Sequence, residues 1–288
     1  MVYLITVNYY SAELIQTLLD SVRSQAVEPF CLVIVNNSPD DKAVRSLAGP
    51  QVELLETGYN AGFGEGCNVG LRWVYEREPG AIAWLINPDA VLQPGALAQA
   101  QDYCRMHPDI SMVGAVIDQP DGQIWFTGGE FNPANGRIVA LETLPDPAIA
   151  AWETAWITGC SLLLNLGNFA ACPEFDPVFF LYYEDFDFCR RYLAQGHQLR
   201  VVAAIRVTHC PSSIAHRDRP NALEHSTYSY LVALERHTSV GVLLYRLARI
   251  VAHAARIGFV DSARAIAIIK GVLHYGERVS RFGQSRQH

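Results

Sequence analysis

No uninterrupted apolar run in this 288-residue sequence reaches the roughly 18 residues needed to span a bilayer, so no transmembrane helix is expected. The first apolar run, Val2–Val7, begins at once and is short; it lacks the basic lead and longer apolar core of a secretion signal. Charge is sparse, at 18% of residues, and the formal net charge of −7 offers no global attraction for nucleic acid. The cysteines number seven, an odd count with no C-x-x-C pair, which points to a reduced, cytoplasmic compartment rather than a disulfide framework. Internal repeats and low-complexity segments are absent. Hydrophobic side chains are plentiful, at 50%, enough for one substantial core, alone or with a smaller appendage.

The first hundred residues alternate between strand and helix patterns. Short apolar runs at Val2–Val7, Cys31–Val35, Val52–Leu55 and Ile82–Ile86 read as buried strands. Between them, Ala12–Ser24 carries Leu14, Ile15, Leu18, Leu19 and Val22 at helical spacing, and Gly62–Tyr75 repeats the pattern. This β-α-β-β-α-β order predicts a mostly parallel sheet wrapped by helices. Residues 118–150 are rich in Gly, Pro, Asn and Asp and read as turns around short strands such as Gly136–Leu141. Trp156–Asn165 and Leu199–Val207 are further strand candidates, and Glu184-Asp185-Phe186-Asp187 opens a helix ending near Gly196. From about Asn221 the pattern is helical to the end.

In open α/β sheets, ligands collect beyond the carboxyl ends of the strands. Asn8, Asn36 and Asn87 each follow an apolar run, and Asp89 stands two residues further on. An asparagine suits a turn, but its amide also donates and accepts at once, as the edge of a pyrimidine base requires. The segment Gly58–Gly70, with Asn60, Gly62 and Asn68, is the densest in glycine and could bring backbone N–H groups to phosphate or ribose, or simply form a long turn into a helix. It is not a dinucleotide fingerprint, because Cys67 and Val69 stand where glycine would be needed, and no Gly-Lys-Ser/Thr occurs for a P-loop. Glu184, Asp185 and Asp187 suit a helix N-terminus electrostatically, and equally suit a catalytic base in a cleft. Asp187 is also an i,i+4 partner for Arg191.

Taken in order, Val7-Asn8-Tyr9, Val35-Asn36-Asn37-Ser38, Asn60-Ala61-Gly62-Phe63-Gly64, Asn87-Pro88-Asp89-Ala90, Thr158-Gly159-Cys160, Glu184-Asp185-Phe186-Asp187 and His209 resemble the family 2 glycosyltransferases, especially their rhamnosyltransferase-like branch. The resemblance covers about the first three-quarters of the chain. It implies a GT-A fold, a Rossmann-like three-layer α/β/α sandwich with a mostly parallel sheet over residues 1–220, and a helical C-terminal extension over 221–288. It also implies an inverting hexosyltransferase, with a dTDP- or UDP-sugar as donor, dTDP-L-rhamnose foremost. The acceptor would be a saccharide or glycolipid in polysaccharide assembly. Asn8 and Asn36 fall where the family holds the base, though Asp is usual where Asn36 stands. Asn60, Gly62 and Asn68 would line the nucleoside. Asp89 matches the last acid of the family's D-x-D motif, whose first acid is Asn87 here, and would hold Mg²⁺ or Mn²⁺ on the diphosphate, with His209 nearby. Asp185 matches the catalytic base, Glu184 is its rival, and Thr158, Gly159 and Asp187 would border the acceptor.

Two other readings share these features. A glycoside hydrolase would also use paired carboxylates, but set about 5–9.5 Å apart across the sugar, which adjacent Glu184 and Asp185 do not suggest. A non-catalytic nucleotide-sugar-binding subunit would keep the fold and tolerate Asn at 36 and 87. The C-terminal helices fit a cap on the sheet domain, a homodimer contact, or a basic amphipathic surface peripheral to the inner face of the cytoplasmic membrane.

Overall fold

The computed structural model describes residues 1–25, 29–146, 148–210 and 219–285. Strands β1 (Val2–Asn8), β2 (Phe30–Asn36), β3 (Val52–Glu56) and β4 (Ile82–Ile86) pair in parallel in the spatial order β3-β2-β1-β4. Helices α1 (Ala12–Arg23) and α2 (Phe63–Arg77) connect them as the periodicity predicts. After the short strand β5 (Ala90–Leu92) and helix α3 (Ala96–Met106), strand β6 (Ile110–Asp118) runs parallel to β4, two places along the sheet. The short strand β7 (Ile124–Phe126) pairs β6, and β8 (Gly129–Asn132) and β9 (Arg137–Ala140) form a separate hairpin. Strand β10 (Ala151–Glu153) lies at the sheet's far edge, and β11 (Ser161–Asn165) fits antiparallel between β4 and β6. Helix α4 (Glu184–Ala194) precedes β12 (Gln198–His209), which runs parallel to β6.

The result is a three-layer α/β/α sandwich of the GT-A type around a mostly parallel sheet. Every residue of β1 is buried, as expected for a strand covered on both faces. Its alternation divides the core: Leu4 meets Ile15, Leu18 and Leu97 on the α1/α3 side, while Ile5 meets Leu71, Val74 and Phe188 on the α2/α4 side. Trp156–Ser161 differs from the expected strand. The chain turns at Thr158-Gly159-Cys160, and regular pairing begins only at Ser161, because Gly159 is drawn toward Asp185.

Helices α5 (Arg219–His237), α6 (Val240–Ile257) and α7 (Ser262–Ser285) follow. They dock through a third apolar cluster, in which Leu231, Leu234, Leu243 and Tyr275 meet Phe179 and Phe186 of the α4 region. Among the described residues, no helix is long and apolar enough to cross a membrane.

Strand direction positions the site. Strands β1, β2, β4, β6 and β12 run the same way, so Asn8, Asn36, Asn87, Asp118 and His209 end on one rim. Because β11 runs oppositely, the turn preceding its first residue reaches that same rim. The order reverses between β1 and β4, the place where open α/β sheets leave a crevice.

Candidate functional site

Asp89 and His209 meet at the rim. The turn Asn87-Pro88-Asp89 is closed by Ala90 N donating to Asn87 O at 3.1 Å and anchored by Asn87 N donating to Cys160 O at 3.0 Å. At the end of β12, His209 pairs in register with Ala90, which sets its Nε2 3.0 Å from Asp89 Oδ1; both side chains are buried. The Asn87 amide stands 3.5 Å from the same nitrogen. That separation is also an ordinary hydrogen bond; of the two groups, the Asp89 carboxylate is the donor suited to Mg²⁺ or Mn²⁺, with the His209 imidazole beside it. His209 Nδ1 is buried with no hydrogen-bond partner among the described residues, and the Trp125 ring packs on the imidazole at 4.8 Å between centroids. Among the described residues no cluster of three His, Cys, Asp or Glu exists, so diphosphate oxygens and water would complete the coordination.

The acidic cluster lies across one short turn. Tyr182 and Tyr183 adopt left-handed φ values of 68° and 62°, a costly conformation that bends the chain sharply into α4. The two acids that follow then diverge. Asp185 turns to the Thr158-Gly159-Cys160 turn: its Oδ2 accepts from Gly159 N at 2.9 Å and its Oδ1 from Phe186 N at 2.7 Å. Burial raises the Asp185 pKa, while these backbone bonds and the Thr158 hydroxyl pull against that rise. Position 159 has no room for a side chain, since a Cβ there would lie 2.7 Å from the Phe63 ring. Glu184 turns inward, packing its Cβ toward Gly64, and its Oε2 is buried without a hydrogen-bond partner among the described residues. Burial, and then the charge of Asp185, pushes the Glu184 carboxyl well above the ordinary range. Both carboxyls are thus raised, Glu184 further than Asp185, because only Asp185 has backbone N–H groups from Gly159 and Phe186 to offset its burial.

The asparagines expected at the base are placed differently. Asn8 is fully buried; its amide donates to Asn36 Oδ1 at 2.9 Å and Asp41 Oδ2 at 3.0 Å, while its Oδ1 accepts from Ser11 N and Oγ. Asn36, equally buried, accepts from Ser38 N at 3.0 Å and donates to Glu56 at 2.8 Å. Asn8 has no hydrogen-bonding group left to offer a base, and Asn36 retains a single N–H. They fasten the strand ends and hold Asp41 and Glu56 at the rim. Strand-end position could suggest these residues, but not that their amides face one another.

Asn68 is likewise fully buried, clipped to the Phe175 backbone by bonds of 2.9 and 2.7 Å and to Glu65 at 2.9 Å. Asn60 is exposed and accepts from Gly62 N at 3.1 Å. Gly62 has a φ of 83°, and a Cβ there would collide with the Phe180 carbonyl. Gly66 and Gly70 let α2 lie directly against Val7 and Ile5 of β1. Gly66 and Gly70 thus serve close helix–sheet packing, while Gly62 and Gly64 lie against Phe180 and Phe175.

Asp187, expected near the acceptor, has no exposed atom to offer one. It is fully buried and meets Arg191 Nε at 2.7 Å, His237 Nε2 at 2.9 Å and Arg236 Nη1 at 3.3 Å, while Arg236 also pairs with Asp176 at 2.7 Å. Burial alone would raise its pKa, but the bonds from His237 and Arg191 bring it below the usual carboxylate value. The cluster ties the helix carrying Asp185 to α5. Only the Arg191 bond was legible, through its i,i+4 spacing; Arg236 and His237 carried no local signal, and neither did Trp125 on a three-residue strand.

The model of the family described as Glycosyl transferase family 2 matches residues 2–161. Among curated proteins, the chain is 25% identical over 264 residues to the N-acetylglucosaminyl-diphospho-decaprenol L-rhamnosyltransferase of Mycobacterium tuberculosis, covering 81% of this chain and 84% of that one. It is 23% identical over 230 residues to the rhamnosyltransferase WbbL of Escherichia coli K12, covering 76% and 85%. Among solved structures, the mannosyltransferase PcManGT from Pyrobaculum calidifontis in complex with GDP-Man and Mn²⁺ superposes with a TM-score of 0.57 at 15% identity, over 95% of this chain and 86% of that one. Residues 1–349 of Staphylococcus aureus TarS in complex with UDP-GlcNAc give 0.56 at 15% identity, over 95% and 80%.

Proposed function

The chain belongs to glycosyl transferase family 2, and from that premise we propose a metal-dependent inverting transferase that moves L-rhamnose from dTDP-rhamnose, or another sugar from a dTDP or UDP carrier, onto a hydroxyl of a saccharide or glycolipid. Residues 1–220 would carry the reaction and 221–288 extend it, at the cytoplasmic face of a membrane. Two relatives named as rhamnosyltransferases support the donor.

One observation carries the mechanism: the turn Thr158-Gly159-Cys160 hydrogen-bonds both Asp185 and the loop that bears Asp89. The base and the diphosphate-binding residues are thereby held on one rigid rim. Asp185 accepts the proton of the acceptor hydroxyl as that oxygen forms its bond to the anomeric carbon, and the bond to the diphosphate oxygen breaks on the opposite face. Gly159 N and Phe186 N orient the carboxylate and oppose the upward pull of burial on its pKa. Asp89 and His209 would hold a Mg²⁺ or Mn²⁺ ion, which would stabilise the charge on the departing diphosphate. Burial, and then the charge of Asp185, disfavours a second negative charge on Glu184 beside the base.

The direct test is release of nucleoside diphosphate when the purified chain is given dTDP-L-rhamnose, Mn²⁺ and a polyprenyl-linked acceptor sugar, with Asp185→Asn as control. Acceptor-dependent release by the native chain alone supports the reading. Nucleotide binding without any transfer by the native chain overturns it in favour of a binding subunit.

A further inference from the structure

We propose that the α6–α7 hairpin is a docking surface for an anionic lipid bilayer, entered tip first by Phe259 and Val260. These residues form the connection between the two helices and are 94% and 92% exposed. The tip is a fixed feature of the fold: Gly258 N bonds Ala254 O at 3.0 Å, and Asp261 N bonds Ile257 O at 2.7 Å. Behind it, the outer face of α6 bears two adjacent rows at helical spacing. One row is Leu244, Ala248, Val251 and Ala255; the other is Tyr245, Arg249, Ala252 and Arg256, and all eight are exposed.

Charge selects the occupant. Helix α6 contains three arginines and no acid. From Thr238 to the end of the chain eight basic residues face two acids, a net of +6, which leaves −13 for the first 237 residues of a chain whose total is −7. A basic, apolar-studded hairpin on an otherwise acidic body matches a bilayer bearing anionic headgroups, where arginines can reach phosphate while the apolar row and tip enter the acyl boundary. A second copy fits less well, because a two-fold contact would set the same arginine row against itself. The surface stands independently of the transfer chemistry.

The test is co-sedimentation of the full chain with phosphatidylcholine vesicles, with and without phosphatidylglycerol, beside light scattering without lipid. Binding to the anionic vesicles should exceed that to neutral ones and weaken with salt. Arg249→Gln with Arg256→Gln should lower it about 30-fold, taking each arginine's membrane contribution in the usual range. Phe259→Ser with Val260→Ser should lower it about 10-fold or more. Since these side chains are exposed, thermal midpoints and stabilisation by dTDP or UDP should stay unchanged, which separates failure of the surface from failure of the transferase reading. No binding by the native chain, equal binding by the variants, or a dimer that the variants dissociate without any lipid binding would each overturn the proposal.

Discussion

The carboxylate of Asp89 and the imidazole of His209 stand 3.0 Å apart, although they come from opposite halves of the chain. If they share a metal, dTDP or UDP with Mn²⁺ should raise the thermal midpoint, by about 2.7 kcal/mol of stabilisation at 100 times the Kd, and chelation should cancel most of it. His209→Ala should shrink the metal-dependent part and lower transfer about 10-fold or more. Identical midpoints with Mn²⁺ and with chelator would remove the metal from this site.

Asp185→Asn keeps the shape and the hydrogen bond from Gly159 but cannot take a proton. Transfer should fall by about 10²- to 10⁴-fold, with nucleotide binding preserved. Burial raises the Asp185 pKa, so transfer should decline as pH falls through a value above the ordinary carboxylate range. An acid limb at or below that range would show that the carboxylate is not desolvated as the fold implies.

Glu184 is raised further, by burial and then by Asp185. A carboxyl raised in the folded state keeps a proton that the unfolded chain gives up above about pH 4.3, so its ionisation destabilises the fold as pH rises from there to the folded pKa. Glu184→Gln should therefore raise the thermal midpoint at pH 7 more than at pH 4, and transfer should survive. Loss of transfer would make Glu184 the base instead.

Asp187 is held the opposite way, its pKa lowered by His237 and Arg191. Its contribution is present above the unfolded carboxylate pKa and is lost as pH falls through the folded one. Asp187→Ala should cost about 1.5–3 kcal/mol at neutral pH, because it removes a fully buried carboxylate that accepts from partly exposed Arg191 and Arg236 and from His237. Urea melts at several pH values would check this; a penalty independent of pH would mean that lost packing, not the charge cluster, explains it.

Gly70 lies where α2 crosses Ile5 without room for a methyl group. Gly70→Ala should destabilise by about 1–3 kcal/mol through overpacking. A neutral result in a denaturant titration would show that the helix can lift off β1 at little cost.

The sequence by itself determined the alternation of strands and helices, a mostly parallel sheet wrapped by helices, and the positions at strand ends where polar residues gather. Those follow from periodicity and from where apolar runs stop, properties carried by neighbouring residues. Asp89 stood out for the same reason, just after a buried strand, whereas Asp185 stood out as one of three acids opening a helix. Only the tertiary structure decided what each polar group does. Asn8, Asn68 and Asp187 look like ligand contacts in one dimension, yet spend their hydrogen bonds on residues as distant as Asp41, Phe175 and His237. The glycines of residues 58–70 likewise left a ligand-facing turn and a helix entry open, and only the folded chain lays Gly66 and Gly70 against β1. Hydrogen-bond saturation and steric clearance depend on partners remote in sequence, so they exist only once the chain has folded.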